Sequence, residues 1–489
     1  MLINPQTNLP PIPPAAETFP SATSTTPFWR TPPHPLDTHR STPTLPPKTD
    51  ILIIGAGMTG ISLAYHLLRS PSPNTTNTTT TTGPTPTITI LEARQLSSGA
   101  TGRNGGHAKL PFWHLQHLHN HHSAAEAAEL GAFQLAHLAA LKAVVDKEAI
   151  ACELLVTRSF DVYMRRDVWE RRVADVAALR NAGGRAAAEV LREVQVLDAK
   201  EWGEEALARI TGVEGPVAGA LAVPAVSLWP YRFVCGLAER ILGEVNLQTG
   251  TKVVGVSEGV DGDGYYSVKT TERGEVRARK VVFATNAYTA GVVPAYEGVI
   301  VGLKGTACKV NKKGGAPRGQ VRTCTYNIFK EDGQVDYLIH RADGGAVVGG
   351  AREAYPADLT EFVGTMDDAT LLSPDKAREY FERRMETAWA DWKECGVEID
   401  KIWTGIMGGT PDGYPHIGAV PGKENQYICA GFNGAGMPHI FLSAEGLARM
   451  IRDGAAFEDV GIPSIFKASE ERMREGWPAD KFTKPKGLR

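Results

Sequence analysis

Cysteine is scarce in this chain: six among 489 residues, Cys152, Cys235, Cys308, Cys324, Cys395 and Cys429, with no C-x-x-C spacing. They read as reduced intracellular thiols rather than a disulfide framework. An excess of either charge is also lacking. The formal net charge of −3 offers no basic surface to nucleic acid or to an anionic membrane. No apolar run approaches membrane-spanning length. The start Met1-Leu2-Ile3-Asn4-Pro5 has no basic region and no apolar core, so it supports neither secretory nor mitochondrial import, and Lys486-Gly487-Leu488-Arg489 is not a peroxisomal S-K-L. The expected compartment is the cytoplasm, with neither membrane nor nucleic acid as a partner. What remains is an ordinary globule, 42% hydrophobic and 22% charged, with enough core to fold unaided.

The most informative stretch is Ile51-Leu-Ile-Ile-Gly55-Ala56-Gly57-Met58-Thr59-Gly60. A four-residue apolar run opens into G-x-G-x-x-G and then into the apolar helical segment 61–69, which is how a first strand delivers a dinucleotide to a helix. Gly55 permits the tight turn, Gly57 lets backbone approach a pyrophosphate, and Gly60 allows close packing of helix on strand. The helix N-terminus then faces the phosphates. An acidic residue is needed at the end of the second strand to hold a ribose hydroxyl, and the segment 87–94 supplies Glu92, followed by Ala93 and Arg94. The Pro/Thr/Asn tract between helix and strand, 71–87, reads as a solvated insertion.

A second glycine-rich segment follows that strand: Gly99, Ala100, Thr101, Gly102, Arg103, Asn104, Gly105, Gly106 and His107. Such density builds little core but lets backbone amides approach a ligand. Its run S-G-A-T-G-R-N-G-G-H resembles the flavin loop of the D-amino-acid oxidase superfamily, the FAD-dependent amine oxidoreductases, and within it the gamma-glutamylputrescine-oxidase-like branch of fungal type. Segment 280–288, carrying Ala284, Thr285 and Asn286, resembles the strand that returns to the nucleotide in that family. Segments 403–418 and 426–439 resemble its flavin-closing region, with Gly405 and Gly408 in the first and Gly434, Ala435, Gly436 and Met437 in the second. The matches run from Asp50 to about Ile451.

The resemblance implies a Rossmann-type FAD-binding α/β domain, 49–122 with 221–298 and 402–460, interleaved with an α+β substrate domain on an antiparallel sheet, 123–220 with 299–401. Residues 1–48, rich in Pro, Thr and Ser but punctuated by Phe28-Trp29 and Leu36, are expected to form an irregular arm on the flavin domain, and 461–489 a C-terminal extension. Segments 123–148 and 167–199 have helical spacing without proline, 230–241 is a helix opened by proline, 246–256 a strand, and 265–271 with 275–283 a strand pair. Backbone near Val253 meets the adenine in the family. FAD is expected to be non-covalent, since Gly405 and Arg103 stand where relatives with covalent flavin carry Cys or His.

A flavin that oxidises a C–N bond takes a hydride from the carbon beside a neutral amine, so the protein supplies orientation, desolvation and a stabiliser for the reduced ring rather than a strong acid or base. The turn before the last apolar helix, 431–437, would aim amides and a helix dipole at that charge. Amino-acid oxidases of the superfamily grip the substrate carboxylate with an arginine, and here Met407 stands at that place. The sarcosine-oxidase branch uses a lysine, and here Pro438 and His439 stand there. Its oxygen-activating lysine has no counterpart in 345–351, leaving Lys304 or His340 to supply the positive charge. The expected reaction is oxidation of an amine CH–NH to an imine with oxygen as acceptor, on amines rather than alpha-amino acids, unless Lys304, His340 or Arg341 restores the missing cation. The alternatives are a dehydrogenase passing electrons to a carrier, a biosynthetic oxidoreductase acting on another bond, and a non-catalytic flavoprotein. His107 either touches the ring or substrate or is structural. Tyr337, His340 and Arg341 either line the pocket or sit on the sheet surface. His114, His117, His119, His121 and His122 are crowded, but no Cys, Asp or Glu completes a metal set.

Overall fold

The computed structural model of the protein describes residues 18–69, 86–314, 322–330, 335–355 and 361–477. Most of the Pro/Thr/Asn tract, the first seventeen residues and the C-terminal end lie outside them.

Two sheets divide the work. The first places strand Lys48–Ile54 between Ile88–Leu91 and Glu275–Phe283, both parallel to it, with Val245–Gln248 beyond one and Gln426–Ala430 beyond the other. Its middle strands are apolar toward both faces: Ile51, Ile53, Ile88 and Ile90 pack under helices, and Leu52, Ile54, Leu91 and Phe283 pack against strands Val253–Val256 and Tyr266–Thr270 and the segment 292–300. Met58–Arg69 and Ile440–Asp453 pack on it. The first helix begins three residues before 61, taking in Met58, Thr59 and Gly60. Pro230–Ile241 spans its expected residues. The reading of 246–256 as one strand does not hold: Gly250, at φ +57, interrupts it between Val245–Gln248 and Val253–Val256.

The second sheet has nine strands and roofs the first. From one edge it runs Val397–Gly409, Val301–Lys312, Ala346–Gly350, Val335–His340, Thr325–Phe329, Leu155–Tyr163, Gly219–Ser227 and His107–Lys109. It is not wholly antiparallel, because Thr325–Phe329 pairs with Leu155–Tyr163 in parallel. The flavin-loop strand His107–Lys109 pairs with Gly219–Ser227, so the polypeptide passes from one sheet into the other directly at the glycine loop. The expected helix 167–199 is two helices, Arg166–Ala182 and Gly184–Leu191, and then an edge strand, Gln195–Asp198. Gly183-Gly184 ends the first helix, with Gly184 at φ +57, a conformation that costs glycine little.

Helix Ala124–Glu148 is long and apolar enough by composition to cross a membrane. It instead buries Leu130, Phe133, Leu138 and Leu141 in the main core and packs on Phe112–His121 and Gly184–Leu191. Ser123 caps it by accepting the Glu126 N–H at 3.1 Å. In the described part of the arm, Trp29 is fully buried against Phe28 and Trp229.

Five histidines, His66, His107, His137, His416 and His439, are so deeply buried that desolvation holds each imidazole near pKa 3, against an ordinary 6.5. The unfolded chain protonates them around pH 6.5 and the folded chain only near 3, so their contribution to stability is complete above about 6.5 and is lost as pH falls toward 3. Each loses on the order of 1 kcal/mol by pH 5.5. Denaturant midpoints should therefore fall markedly between pH 7.5 and 5.5, and a flat profile over that window would contradict neutral burial.

Candidate active site

The dinucleotide turn is held by two glycines. Gly55 sits at φ +108 with its missing Cβ only 2.6 Å from the Ala284 carbonyl oxygen, and a Cβ on Gly60 would come 1.9 Å from the Gly55 carbonyl oxygen. No other residue fits either place. Thr101 reaches back from the glycine loop, its Oγ1 accepting the Met58 N–H at 2.9 Å. Glu92 stands at the strand end beside this turn. Its Oε2 accepts the Ala56 N–H and its Oε1 the Arg94 N–H, both at 2.9 Å. A carboxylate has about four acceptor sites, so two remain for a ligand's hydroxyls.

The glycine loop is braced from three sides. Asn104 donates to the Thr101 carbonyl at 2.9 Å and accepts the Gly106 N–H at 2.7 Å. Trp29 and Trp403 donate their indole N–H groups to the carbonyls of Asn104 and Arg103, at 2.6 and 2.8 Å. The Arg103 guanidinium turns inward, donating to the Ser98 and Thr404 carbonyls at 2.7 Å each and lying 3.4 Å from Asp368. Arg94 forks onto the same carboxylate at 2.8 and 2.9 Å. Burial lowers the Arg103 pKa to about 10 against the pull of Asp368, whereas for Arg94 burial is outweighed by the hydrogen bond to Asp368 together with the charges of Tyr288, Asp368 and Glu92, and the pKa rises. Both guanidinium groups are thus committed to Asp368, whatever their backbones present to a ligand.

At the far end, Asn286 Oδ1 accepts the N–H groups of Gly431 and Phe432 at 3.1 and 3.2 Å. Asn433 ties the same turn to Thr410, accepting its N–H and donating to its hydroxyl, both at 2.8 Å. The following helix begins at Ile440, after Gly434–Met437 have already formed part of the wall.

One cavity of about 2270 Å³ runs from Gly55 and Glu92 past Gly105 to Trp113, Tyr337 and Met407. Most of the residues singled out from sequence line it. Ala56, Gly60, Gly106 and Gly408 stand behind the wall and shape it. Gly106 leaves room for the Trp29 ring and Gly408 for Asn286 Oδ1, with would-be Cβ distances of 2.7 and 2.8 Å. His107 lines the cavity, its ring 6.0 Å from that of Tyr337. Burial, reinforced by nearby Lys109, keeps it neutral, and among the described residues its Nδ1 has no hydrogen-bond partner.

Lys304 and His340 do not reach the cavity. Strand alternation explains both: Leu303, Gly305 and Ala307 line the cavity while Lys304 points to the opposite side, held by Asp367 at 3.0 Å and Thr370 at 2.9 Å. Tyr337 faces Gly105, and His340, three positions on, packs among Tyr326 and Trp389. Arg341 is absent from the wall too, paired with Glu153 and stacked on Trp29 and Trp229.

Sequence reading missed Lys109, which lies two residues beyond His107 on the same strand face, a period-2 signal that could have found it. Its Nζ is buried 2.6 Å from Asp161 Oδ1 and 3.2 Å from Ser159 Oγ, and burial lowers its pKa against the pull of Asp161. His117 and His121 do share a helix face, with rings 4.5 Å apart, but among the described residues no three His, Cys, Asp or Glu gather around a point.

The family model for FAD dependent oxidoreductases (DAO) matches residues 50–450. The chain belongs to that family. The FAD-dependent oxidoreductase shares its fold with L-proline dehydrogenase from P. horikoshii, at a TM-score of 0.63 and 19% identity over 86% of this chain and 98% of that one. It is similar also to glycine oxidase from Geobacillus kaustophilus, at 0.63 and 18% over 87% and 99%. L-amino acid deaminase from Proteus myxofaciens gives 0.64 and 16% over 90% and 97%. No functionally curated protein matches the chain in sequence.

Two substitutions probe this FAD-dependent enzyme's cofactor site. Glu92→Ala removes the charged acceptor expected for the ribose hydroxyls, a contact worth on the order of 1.5–3 kcal/mol, so FAD retention measured by flavin fluorescence on dilution should weaken about tenfold or more. Asp368→Asn leaves two buried guanidinium groups without a counter-charge and should cost about 3–5 kcal/mol in chemical denaturation. A loss below about 1 kcal/mol would show the clamp to be dispensable.

Proposed function

We propose that this FAD-dependent oxidoreductase oxidises the CH–NH bond of a small-molecule amine to an imine, with oxygen as the electron acceptor. The observation that carries the reading is the single cavity in which the dinucleotide turn and Glu92 open without interruption onto the wall of His107, Tyr337 and Met407. Its glycine-lined stretches fit the adenine dinucleotide: Gly55–Thr59 and Glu92 for the ribose and phosphates, Val253 for the adenine, Gly99–Gly105 with Ala284–Asn286 for the length of the ligand, and Gly405 with Gly434–Met437 for the flavin end. Bound FAD supplies the acceptor for a hydride from the carbon beside the nitrogen. The amine nitrogen's proton leaves to solvent, water hydrolyses the imine to carbonyl and amine, and reduction of oxygen with two protons yields hydrogen peroxide.

The chain's own residues orient and desolvate. His107 lines the cavity as a neutral ring, so it shapes the space beside the amine without protonating it. Tyr337 is wedged between Gly105 and Gly349, where any side chain would meet its ring, so the wall opposite the glycine loop is rigid. The buried Lys109 ammonium provides a cation for negative charge developing on reduced oxygen, the part that Lys304 and His340 are placed too far from the wall to play. The resemblance to the gamma-glutamylputrescine-oxidase-like branch supports amines as the substrate class, and the solved relatives named for proline, glycine and amino acids all take nitrogen-bearing small molecules.

A panel of primary and secondary amines mixed anaerobically with the yellow holoenzyme should bleach the flavin with at least one member. Readmitting air should restore the colour with stoichiometric peroxide. Acid precipitation should leave the flavin in the supernatant, as expected for a cofactor without a covalent anchor. Persistent absorbance with every amine would remove the amine reading, and bleaching that air does not reverse would transfer the acceptor role to a carrier.

A further inference from the structure

The end of the cavity beyond Glu92 is closed by the N-terminal arm, a part of the chain that precedes the residues 50–450 matched by the family model. Phe19 and Pro20 line it there, together with Lys252 and Val253. These groups are neighbours of Glu92: the Thr251 N–H donates to the Glu92 carbonyl at 2.7 Å, and Lys252 follows, its Nζ 5.4 Å from the centroid of the Phe19 ring. An ammonium at that distance is attracted to the ring face, so each side chain holds the other in place.

Three attachments keep the arm at this end of the cavity. Thr18 is buried beside Gly291, where a Cβ would come 2.7 Å from the Thr18 Oγ1 and 3.0 Å from the Phe19 ring. Ser21 accepts an Arg94 guanidinium N–H on its carbonyl and donates its hydroxyl to the Met366 carbonyl, both at 3.3 Å. Thr25 donates its N–H and its hydroxyl to the Asp368 carbonyl, at 2.8 and 3.0 Å. Arg94 and Asp368 belong to the buried charge cluster, so the segment 18–25 is a strap fixed at that cluster and again at Gly291. Between the two, Phe19 packs against the apolar cluster of Val253 and Val292 and lines the cavity.

A dinucleotide laid along this cavity has one direction open to it at Glu92. Its phosphates belong at the N-terminus of helix Met58–Arg69 and its ribose at the Glu92 carboxylate, so the base that the ribose carries extends away from the glycine turn, into the end bounded by Val253 and Phe19. We propose that Phe19 is a cofactor-binding residue whose ring covers the adenine of FAD, and that the strap 18–25 must lift before the cofactor leaves. The inference rests on the assignment of the ribose to Glu92 and not on the amine chemistry. It adds to the nucleotide site a wall from outside the span shared with the family, and it gives the Pro-rich arm a part in holding the ligand besides bracing the glycine loop.

The rate at which diluted holoenzyme releases FAD, followed as the rise in free-flavin fluorescence, tests the cover without turnover. An aromatic ring against a base is worth roughly a factor of ten in affinity, so Phe19→Ala should release FAD about tenfold faster than wild type. Phe19→Tyr keeps the ring and should stay within about threefold of wild type. Gly291→Val leaves the lining residues unaltered but pushes Thr18 and Phe19 aside, and it should accelerate release as well. The flavin absorbance maximum of the two Phe19 variants, and their thermal midpoints in excess FAD, should match wild type, because the ring covers the base and not the isoalloxazine. Acceleration below about threefold in Phe19→Ala or Gly291→Val overturns the proposal, as does release from Phe19→Tyr as fast as from Phe19→Ala. Fast release from Phe19→Ala with a shifted absorbance maximum and a lowered midpoint overturns it too, since the arm would then act only as a brace. Where Glu92→Ala accelerates release and Phe19→Ala does not, the ribose assignment stands and the cover alone is refuted. Where neither does, both fall.

Discussion

Asp368 has no exposed surface, and two guanidinium groups from distant parts of the chain converge on its carboxylate. Arg94 comes from the end of the dinucleotide strand, Arg103 from the glycine loop, and Thr25 of the N-terminal arm donates both its N–H and its hydroxyl to the Asp368 carbonyl. A buried carboxylate is tolerable only with such partners, and each guanidinium is tolerable only with the carboxylate. The arrangement consequently fixes three segments together at the place where the FAD site gives way to the roof sheet. Removing any partner strands a charge in the interior, so the position of the glycine loop relative to both sheets is decided by this cluster rather than by the loop's own glycines, which have no conformational preference strong enough to decide it.

The same logic explains the tryptophans of the arm. Trp29 fills the space that Gly106 leaves, donates to the Asn104 carbonyl, and receives on its own carbonyl the Trp229 indole N–H at 2.6 Å. A Pro-rich segment that would be poorly ordered alone thereby becomes a buttress of the glycine loop. Its composition resembles that of a tail, but two large buried rings outweigh composition, because a fully buried tryptophan contributes more than the ordering of a few residues costs.

How much was legible in the sequence follows from how local each cause is. The requirement for glycine at 60 is set by the Gly55 carbonyl in the same turn, that at 55 in part by its own φ of +108, and Pro230 at the start of its helix acts on its own first turn, so these could be read directly. The split of 167–199 was less legible. Its Ala/Leu/Glu/Arg pattern is helical throughout, but Gln195–Asp198 finds a strand partner at Gly219–Ala222, which no local signal announces. Lys304 and His340 were misplaced for a similar reason. Each sits on a strand of the expected sheet, but a shift of one residue in register exchanges the two faces, and the face is decided by pairing across the sheet: Leu303 opposite Met407, Tyr337 opposite Asn327 and Gly349.

Lys304 shows how a strand position can serve a wall that its side chain never reaches. Its ammonium is held by Asp367 and Thr370 on the face away from the cavity, while its backbone N–H donates to the Phe362 carbonyl at 2.8 Å. That bond brings Phe362 alongside Tyr355, whose hydroxyl accepts the Thr306 N–H at 3.0 Å, and the two rings pack with Leu303 in one apolar cluster. A sequence pattern reports the residue type and so points to the ammonium, whereas the wall uses the backbone of the same residue, a contribution that any side chain at this position could make.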